Sequence, residues 1–227
     1  SVSLGDGWYA AGSSVTITAI PDTRATFVGW TGDIPPADTN VIAPTLLMDR
    51  PRAVTANFIV TTHYVSTNGG HLSPYTNWVT AATNLQAALD VCEDGARVLV
   101  SGGVYRLSSP VLMTNGIRME SLSGPATATI DGVDAVRCID SSNPSNVLDG
   151  FTIRRGRATD GGGLRLIGGI ARNCVITGNS APQYAGGVFG GAVVDSVLFG
   201  NVSSVDGGGA HSAALRNCLI TYNTAWQ

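Results

Sequence analysis

The chain has 227 residues, enough to bury a sizeable core in one large domain or two modest ones, and its 44% hydrophobic content excludes a disordered chain. Only 13% of residues are charged, none is lysine, and Glu93 and Glu120 are the only glutamates, which disfavours a helix-rich protein. The net charge of −3 offers no basic field to nucleic acid, and no apolar run approaches the roughly 20 residues that span a bilayer.

The chain opens on Ser1, without a signal peptide and directly in strand-like sequence, as expected of a processed chain or an excised piece of a longer one. Residues 1–60 read as one β-module. Ser14-Val15-Thr16-Ile17-Thr18-Ala19 alternates with period two and meets a turn signal at Pro21-Asp22. Phe27-Val28-Gly29-Trp30-Thr31-Gly32-Asp33, a Pro- and Asp-rich loop, and Ala53-Val54-Thr55-Ala56-Asn57-Phe58 follow. Trp30, Phe27 and Phe58 are the large aromatics from which a small core can be built.

These runs, with Gly12, Ile20-Pro21 and Met48-Asp49, resemble the divergent internalin-B-type repeat of bacterial surface proteins. The resemblance implies a small β-grasp-like module that serves as a spacer or adhesion element and has no enzymatic activity. Trp30 reads as a core residue beside a glycine turn. Residues 59 to 64 read as a short, fairly stiff connection to a second domain over 61–227.

Thr83-Asn84-Leu85-Gln86 fits a capping box, and Leu85, Ala88, Leu89 and Cys92 form one apolar stripe, so the spacing predicts a helix over about 84–94 that ends at Gly95. Placed before a solenoid, such a helix would act as a lid on the first coil. Strands are expected at Arg97-Val98-Leu99-Val100, Val111-Leu112-Met113, Ile117-Arg118-Met119 and Thr129-Ile130. From Leu148 a period of 22 becomes explicit. Asn179, Asn201 and Asn223 form one column, with Ile176, Leu198 and Ile220 three residues before them. Cys174, Ser196 and Cys218 form a second, and Ala181, Ser203 and Ala225 a third. Phe151, Ile153, Gly156 and Ala158 take the same places 23 residues earlier, and Gly162-Gly163, Gly186-Gly187 and Gly208-Gly209 recur in register.

Stacked coils place each column at the strand spacing of about 4.8 Å. The aliphatic columns then line an interior, the asparagines can form an amide ladder while tolerating left-handed geometry, and the glycine doublets suit corners that need positive φ. Cys174 and Cys218 would lie about 9.6 Å apart, beyond the roughly 7 Å a disulfide allows, and should remain thiols. The expected fold is all-β: a right-handed parallel β-helix of ~22-residue coils behind a capping helix.

The repeats, the cap helix running on to Gly103-Val104-Tyr105 and the Leu148-Asp149-Gly150-Phe151-Thr152-Ile153 run are similar to pectin-lyase-like β-helix proteins, above all those of the polymorphic outer-membrane-protein type. That resemblance implies a secreted or cell-surface bacterial protein acting in adhesion, glycan binding or display, with an extracellular glycan or a neighbouring surface as partner. The alternative is a polysaccharide lyase on uronans.

A lyase needs a base for the proton α to the uronate carboxyl and a group that neutralises that carboxylate. Arg154, Arg155 and Arg157, with Asp149 and Asp160 nearby, are the only raw material for such a site, or for ligand binding. Arg154 falls in the outward column of Thr177, Phe199 and Thr221, and the cluster otherwise reads as solvated arginines pairing with local aspartates. Asp160-Gly161 and Asp206-Gly207 read as Asx-type corners instead of calcium turns. The cysteines lack CxxC spacing and His63, His71 and His211 are scattered, so no metal or cofactor is expected. Tyr184, His211 and Trp226 could line a sugar groove, but spacing alone does not bring them together. The chain stops in mid-repeat, so further chain or a partner is expected to cover the last coil.

Overall fold

A computed structural model describes residues 1–4, 7–21 and 25–226. The chain divides into two compact units, Ser1–Thr61 and Thr62–Gln227. The first holds two antiparallel strand pairs, Ser14–Thr16 with Thr45–Leu47 and Thr26–Gly32 with Val54–Ile59. Its helical content among the described residues is one 3-10 turn, Pro36–Asp38. Ile17, Ala19, Trp30 and Leu46 are its buried core, and Phe27 and Phe58 pack on it from the partly buried margin. Phe27 meets Trp30 and Phe58 edge-on at 5.6 and 5.8 Å, the geometry aromatic quadrupoles favour. The Trp30 indole donates to the Val41 carbonyl at 2.8 Å, which satisfies its one polar group. Asp22 of the expected turn lies outside the described residues.

The second unit is a parallel β-solenoid of about six coils. Its strands already begin at Thr62–Val65, so the connection is shorter than the sequence suggested. Three sheets form its walls. Sheet I has seven strands, from Thr62–Val65 and Arg97–Val100 through Val147–Asp149 to Ala214–Arg216. Sheet II has six, from Gly103–Arg106 through Thr152–Arg154 to Leu219–Thr221, and sheet III has five, from Val111–Met113 through Leu164–Leu166 to Ala210–His211. A short three-stranded sheet of Ser180–Ala181, Val202–Ser203 and Thr224–Ala225 turns the late coils from sheet II toward sheet III.

The register confirms the columns. Ile130, Ile153, Ile176 and Leu198 pair in succession and are fully buried, while Ile220 on the last coil is 48% exposed. The asparagines form a ladder with a specific hydrogen-bond plan. Each Oδ1 accepts the backbone N–H one coil back: Gly156 to Asn179 at 2.8 Å, Asn179 to Asn201 at 3.1 Å, Asn201 to Asn223 at 3.0 Å. Each Nδ2 donates to a carbonyl of the coil behind it, Ile153, Ile176 and Leu198 in turn. The amides of Asn179 and Asn201 also donate to the next Oδ1, at 2.9 and 2.8 Å. Asn179 and Asn201 are buried, and a buried amide is tolerated because it is hydrogen-bonded in this way.

Two turn readings need correction. The left-handed residues are not the asparagines but those just before them, Arg155, Gly178, Gly200 and Tyr222, with φ between 50° and 63°. A second left-handed column runs Gly150, Asn173, Asp195, Asn217. The glycine doublets answer to space instead of torsion: none of the six residues has positive φ. A Cβ on Gly187 would lie 2.2 Å from the Gly209 carbonyl, one on Gly208 2.2 Å from that of Thr224, and one on Gly209 2.9 Å from the Asn223 amide carbon. The doublets let one coil settle onto the asparagine and short strand of the next.

The cap helix is Leu85–Asp90, shorter than expected, and its N-cap is Asn84, whose side chain accepts from Ala87. Thr83 is unavailable as a cap because its N–H and hydroxyl both meet His71 Nδ1, at 3.0 and 2.9 Å. Gln86 forms no capping box; its Oε1 accepts from the Leu112 N–H. Val91 leaves helical geometry at φ −100°, ψ 0°, before Gly95 is reached. Leu85, Ala88 and Leu89 are buried in the solenoid core together with Cys92. All four cysteines are free thiols, and the Cys174 N–H donates to Ser196 Oγ, the residue between it and Cys218 in their column.

Candidate functional site

Along each short strand successive side chains point alternately into the core and out to solvent. On the outward faces, neighbouring coils bring charges together that the sequence leaves far apart. On sheet II, Asp131 is buried beneath two arginines: Arg154 Nη2 lies 3.0 Å from Oδ2, and Arg155 Nε 3.3 Å from Oδ1 and 3.1 Å from Asp134. On sheet I, Glu120 is held by Arg97 and Arg118, and Asp149 by Arg118 at 3.0 Å and Arg172 at 2.8 Å. On sheet III, Asp140 accepts from Arg137 at 2.6 Å and from Arg165 at 3.0 Å.

The expected cluster of Arg154, Arg155, Arg157, Asp149 and Asp160 is thereby dispersed. Arg154 is half exposed in the outward column predicted for it, but its carboxylate is Asp131, one coil back, and not Asp149 or Asp160. Asp149 lies on sheet I, and Arg157 is exposed beside Ser180. Asp160 accepts from Arg137 through its backbone carbonyl, while its buried Oδ1 has no hydrogen-bond partner. Among the described residues, no group of three or more His, Cys, Asp and Glu is placed to hold a metal ion.

The three buried thiols offer no nucleophile. Burial, above all, pushes Cys92 and Cys138 up to about 12 and Cys174 up to about 11, so each stays protonated at neutral pH, and the thiolate is the reactive form.

Sheet III differs from the other two faces in its last coils. Its outward column runs Leu112, Asp140, Arg165, Phe189, His211. Phe189 and His211 stack at 5.5 Å with planes 8° apart. Tyr184 lies between Asp160 and Asp206 in a neighbouring bridged column, and its ring centre is 4.9 Å from that of His211. Three aromatic rings thus meet on two successive coils, with Tyr184 37% exposed and the other two partly so. Two of the three were visible in the sequence; among the described residues Trp226 makes no ring contact with them, and Phe189 takes its place. The signal for Phe189 was present: it follows Gly-Gly-aliphatic, as Arg165 and His211 do, and that position points outward.

A family model described as the divergent InlB B-repeat domain matches residues 1–62. No curated protein and no solved structure matches the chain. Among the described residues, no helix is long and apolar enough to cross a membrane. The InlB-type repeat together with a parallel β-solenoid is consistent with a bacterial surface protein.

Proposed function

We propose that this chain is a non-catalytic part of a secreted or surface-anchored bacterial protein, whose pectin-lyase-like β-helix acts in adhesion, glycan binding or display. The observation that carries the reading is the state of the outward charges: Glu120, Asp131, Asp140 and Asp149 are each engaged by arginines of their own or a neighbouring coil. A base for proton abstraction must reach its substrate within hydrogen-bonding distance. Arg154 and Arg155 are instead held in ion pairs with the buried Asp131. What such coils can do is hold surface side chains at fixed spacing, the property of solenoid binding faces. The InlB-type repeat at 1–62 supports the surface setting.

The test is turnover against binding. The intact chain is incubated with pectate, alginate and other uronans, with and without calcium, while the unsaturated product is followed by absorbance, and is then applied to a glycan array. No product with retained glycan binding is expected. Accumulation of an unsaturated uronate would overturn the non-catalytic reading.

A further inference from the structure

We propose that Tyr184, Phe189 and His211 form a platform for an uncharged pyranose oligosaccharide, with Asp160 and Asp206 at its rim. This rests on the glycan-binding reading above and assigns it a site and a ligand class. The platform follows from the repeat itself. In-register parallel pairing sets Phe189 directly beside His211, and the bridged column sets Tyr184 between the two aspartates. Glycine keeps the backbone beside them clear: a Cβ on Gly161 would lie 2.3 Å from the Leu164 carbonyl oxygen and 2.9 Å from the Phe189 Cβ, and one on Gly207 2.5 Å from the Ala210 carbonyl oxygen and 2.8 Å from the His211 Cβ. Between those glycines in the column, Ala185 holds φ +56°, a conformation that costs a non-glycine residue strain and fixes the backbone beside Tyr184.

The chemistry selects the ligand. An aromatic face carries a negative quadrupole, which attracts the polarised C–H groups on one face of a pyranose. The hydroxyls at the sugar's edge then need acceptors, and a carboxylate supplies two oxygens for them. Asp206 is exposed and is the acceptor a sugar hydroxyl can reach, whereas Asp160 Oδ1 is buried. Neither side chain takes part in an ion pair among the described residues. Two cations lie near: Arg165, bound to Asp140 by Nε at 3.0 Å and Nη2 at 3.0 Å, and Arg137, which donates to the Asp160 and Gly161 carbonyls and is paired with the same Asp140. The accessible, unpaired carboxylate at the rim is Asp206, which disfavours the like charge of uronates and leaves neutral sugars as the ligand class, the reverse of a uronan lyase.

The experiment is calorimetric titration of the intact chain with cellohexaose, mannohexaose and hexagalacturonate, preceded by a neutral-glycan array to choose further oligosaccharides. A neutral oligosaccharide is expected to bind, with hexagalacturonate weaker by about tenfold or more. Phe189→Ala and Tyr184→Ala should each weaken neutral-sugar binding by about tenfold, as loss of a central aromatic anchor does. Tyr184→Phe should keep it, and Asp206→Asn should lower it several-fold. Phe199→Ala, outward on sheet II and 40% exposed, should leave it unchanged. Circular dichroism of each variant checks folding, and Phe189→Ala carries the test should Tyr184→Ala unfold. Neutral-sugar binding that survives both ring deletions overturns the site and leaves the glycan reading standing. A preference for hexagalacturonate overturns the ligand class. Failure of the parent chain to bind any neutral glycan on the array overturns the site and the glycan reading together.

Discussion

The unit Ser1–Thr61 closes around Trp30 and three smaller buried side chains, whereas the solenoid spreads its core over columns in which each coil repeats the side chain of the last. In the first, one residue carries a large part of the burial. In the second, removal of one side chain leaves its column neighbours packed on either side, and what cannot be spared is the element that ties coil to coil. The two units are also chemically distinct, since every cysteine and every arginine–carboxylate ladder that joins successive coils lies after residue 61.

The largest effect that separates them is expected from Trp30→Ala. Loss of a buried tryptophan costs about 3–5 kcal/mol, more than a core of four residues can absorb, so the first unit should unfold. Urea denaturation followed by NMR should show its resonances lost and those of the solenoid unmoved; a solenoid that destabilises in parallel would break the comparison.

Next comes Asn201→Ala. It strands the Asn179 N–H and the Ile176 carbonyl, both in the buried ladder, and leaves the Asn179 amide with its bond to Ile153 alone. At about 1–3 kcal/mol per buried unsatisfied group, the total is on the order of 3 kcal/mol, read as a lower urea midpoint for the late coils while the first unit is unaffected.

A pair of glycines sharpens the contrast at smaller scale. Gly187→Ala forces a Cβ onto the Gly209 carbonyl and should cost about 1–3 kcal/mol through overpacking. Gly12→Ala in the first unit meets open space but stands at φ +77°, and should cost about 1–2 kcal/mol through torsion alone. Serine at each position separates the causes: the larger side chain should worsen only the Gly187 variant, in thermal unfolding.

The smallest effect is that of mild alkali. The folded thiols of Cys138 and Cys174 are raised above their ordinary value of 9.0, so the unfolded chain loses these protons first. Their contribution is whole below pH 9 and is lost as pH climbs from 9 towards 11–12. At pH 9 the loss is a few tenths of a kcal/mol per thiol, confined to the solenoid because the first unit has no cysteine. Iodoacetamide at pH 8 should modify the half-exposed Cys218 first and leave the other three protected until unfolding.

The late coils were legible because a constant 22-residue spacing writes each column into the sequence, down to the free Cys174 and Cys218. The ion pairs were not, because earlier coils vary in length. Arg154 reaches Asp131 across 23 residues and Arg118 reaches Asp149 across 31, so no fixed period joins them. Local sequence proximity instead suggested Asp149 and Asp160. The glycine doublets were located correctly but explained by torsion, since a steric demand from the next coil leaves no trace in the local sequence. At the helix start, Thr83 and Asn84 are both good caps, and His71, twelve residues back, decides between them. Phe189 was missed because aromatic residues were weighed singly and not by their place after each Gly-Gly-aliphatic run.

The most direct measurement is hydrogen–deuterium exchange of the intact chain with and without the neutral oligosaccharide that binds best. New protection confined to peptides covering 184–189 and 206–211 is the expected result. Protection appearing within residues 1–61, or over the arginine ladder at 149–155 with none on sheet III, would contradict the account.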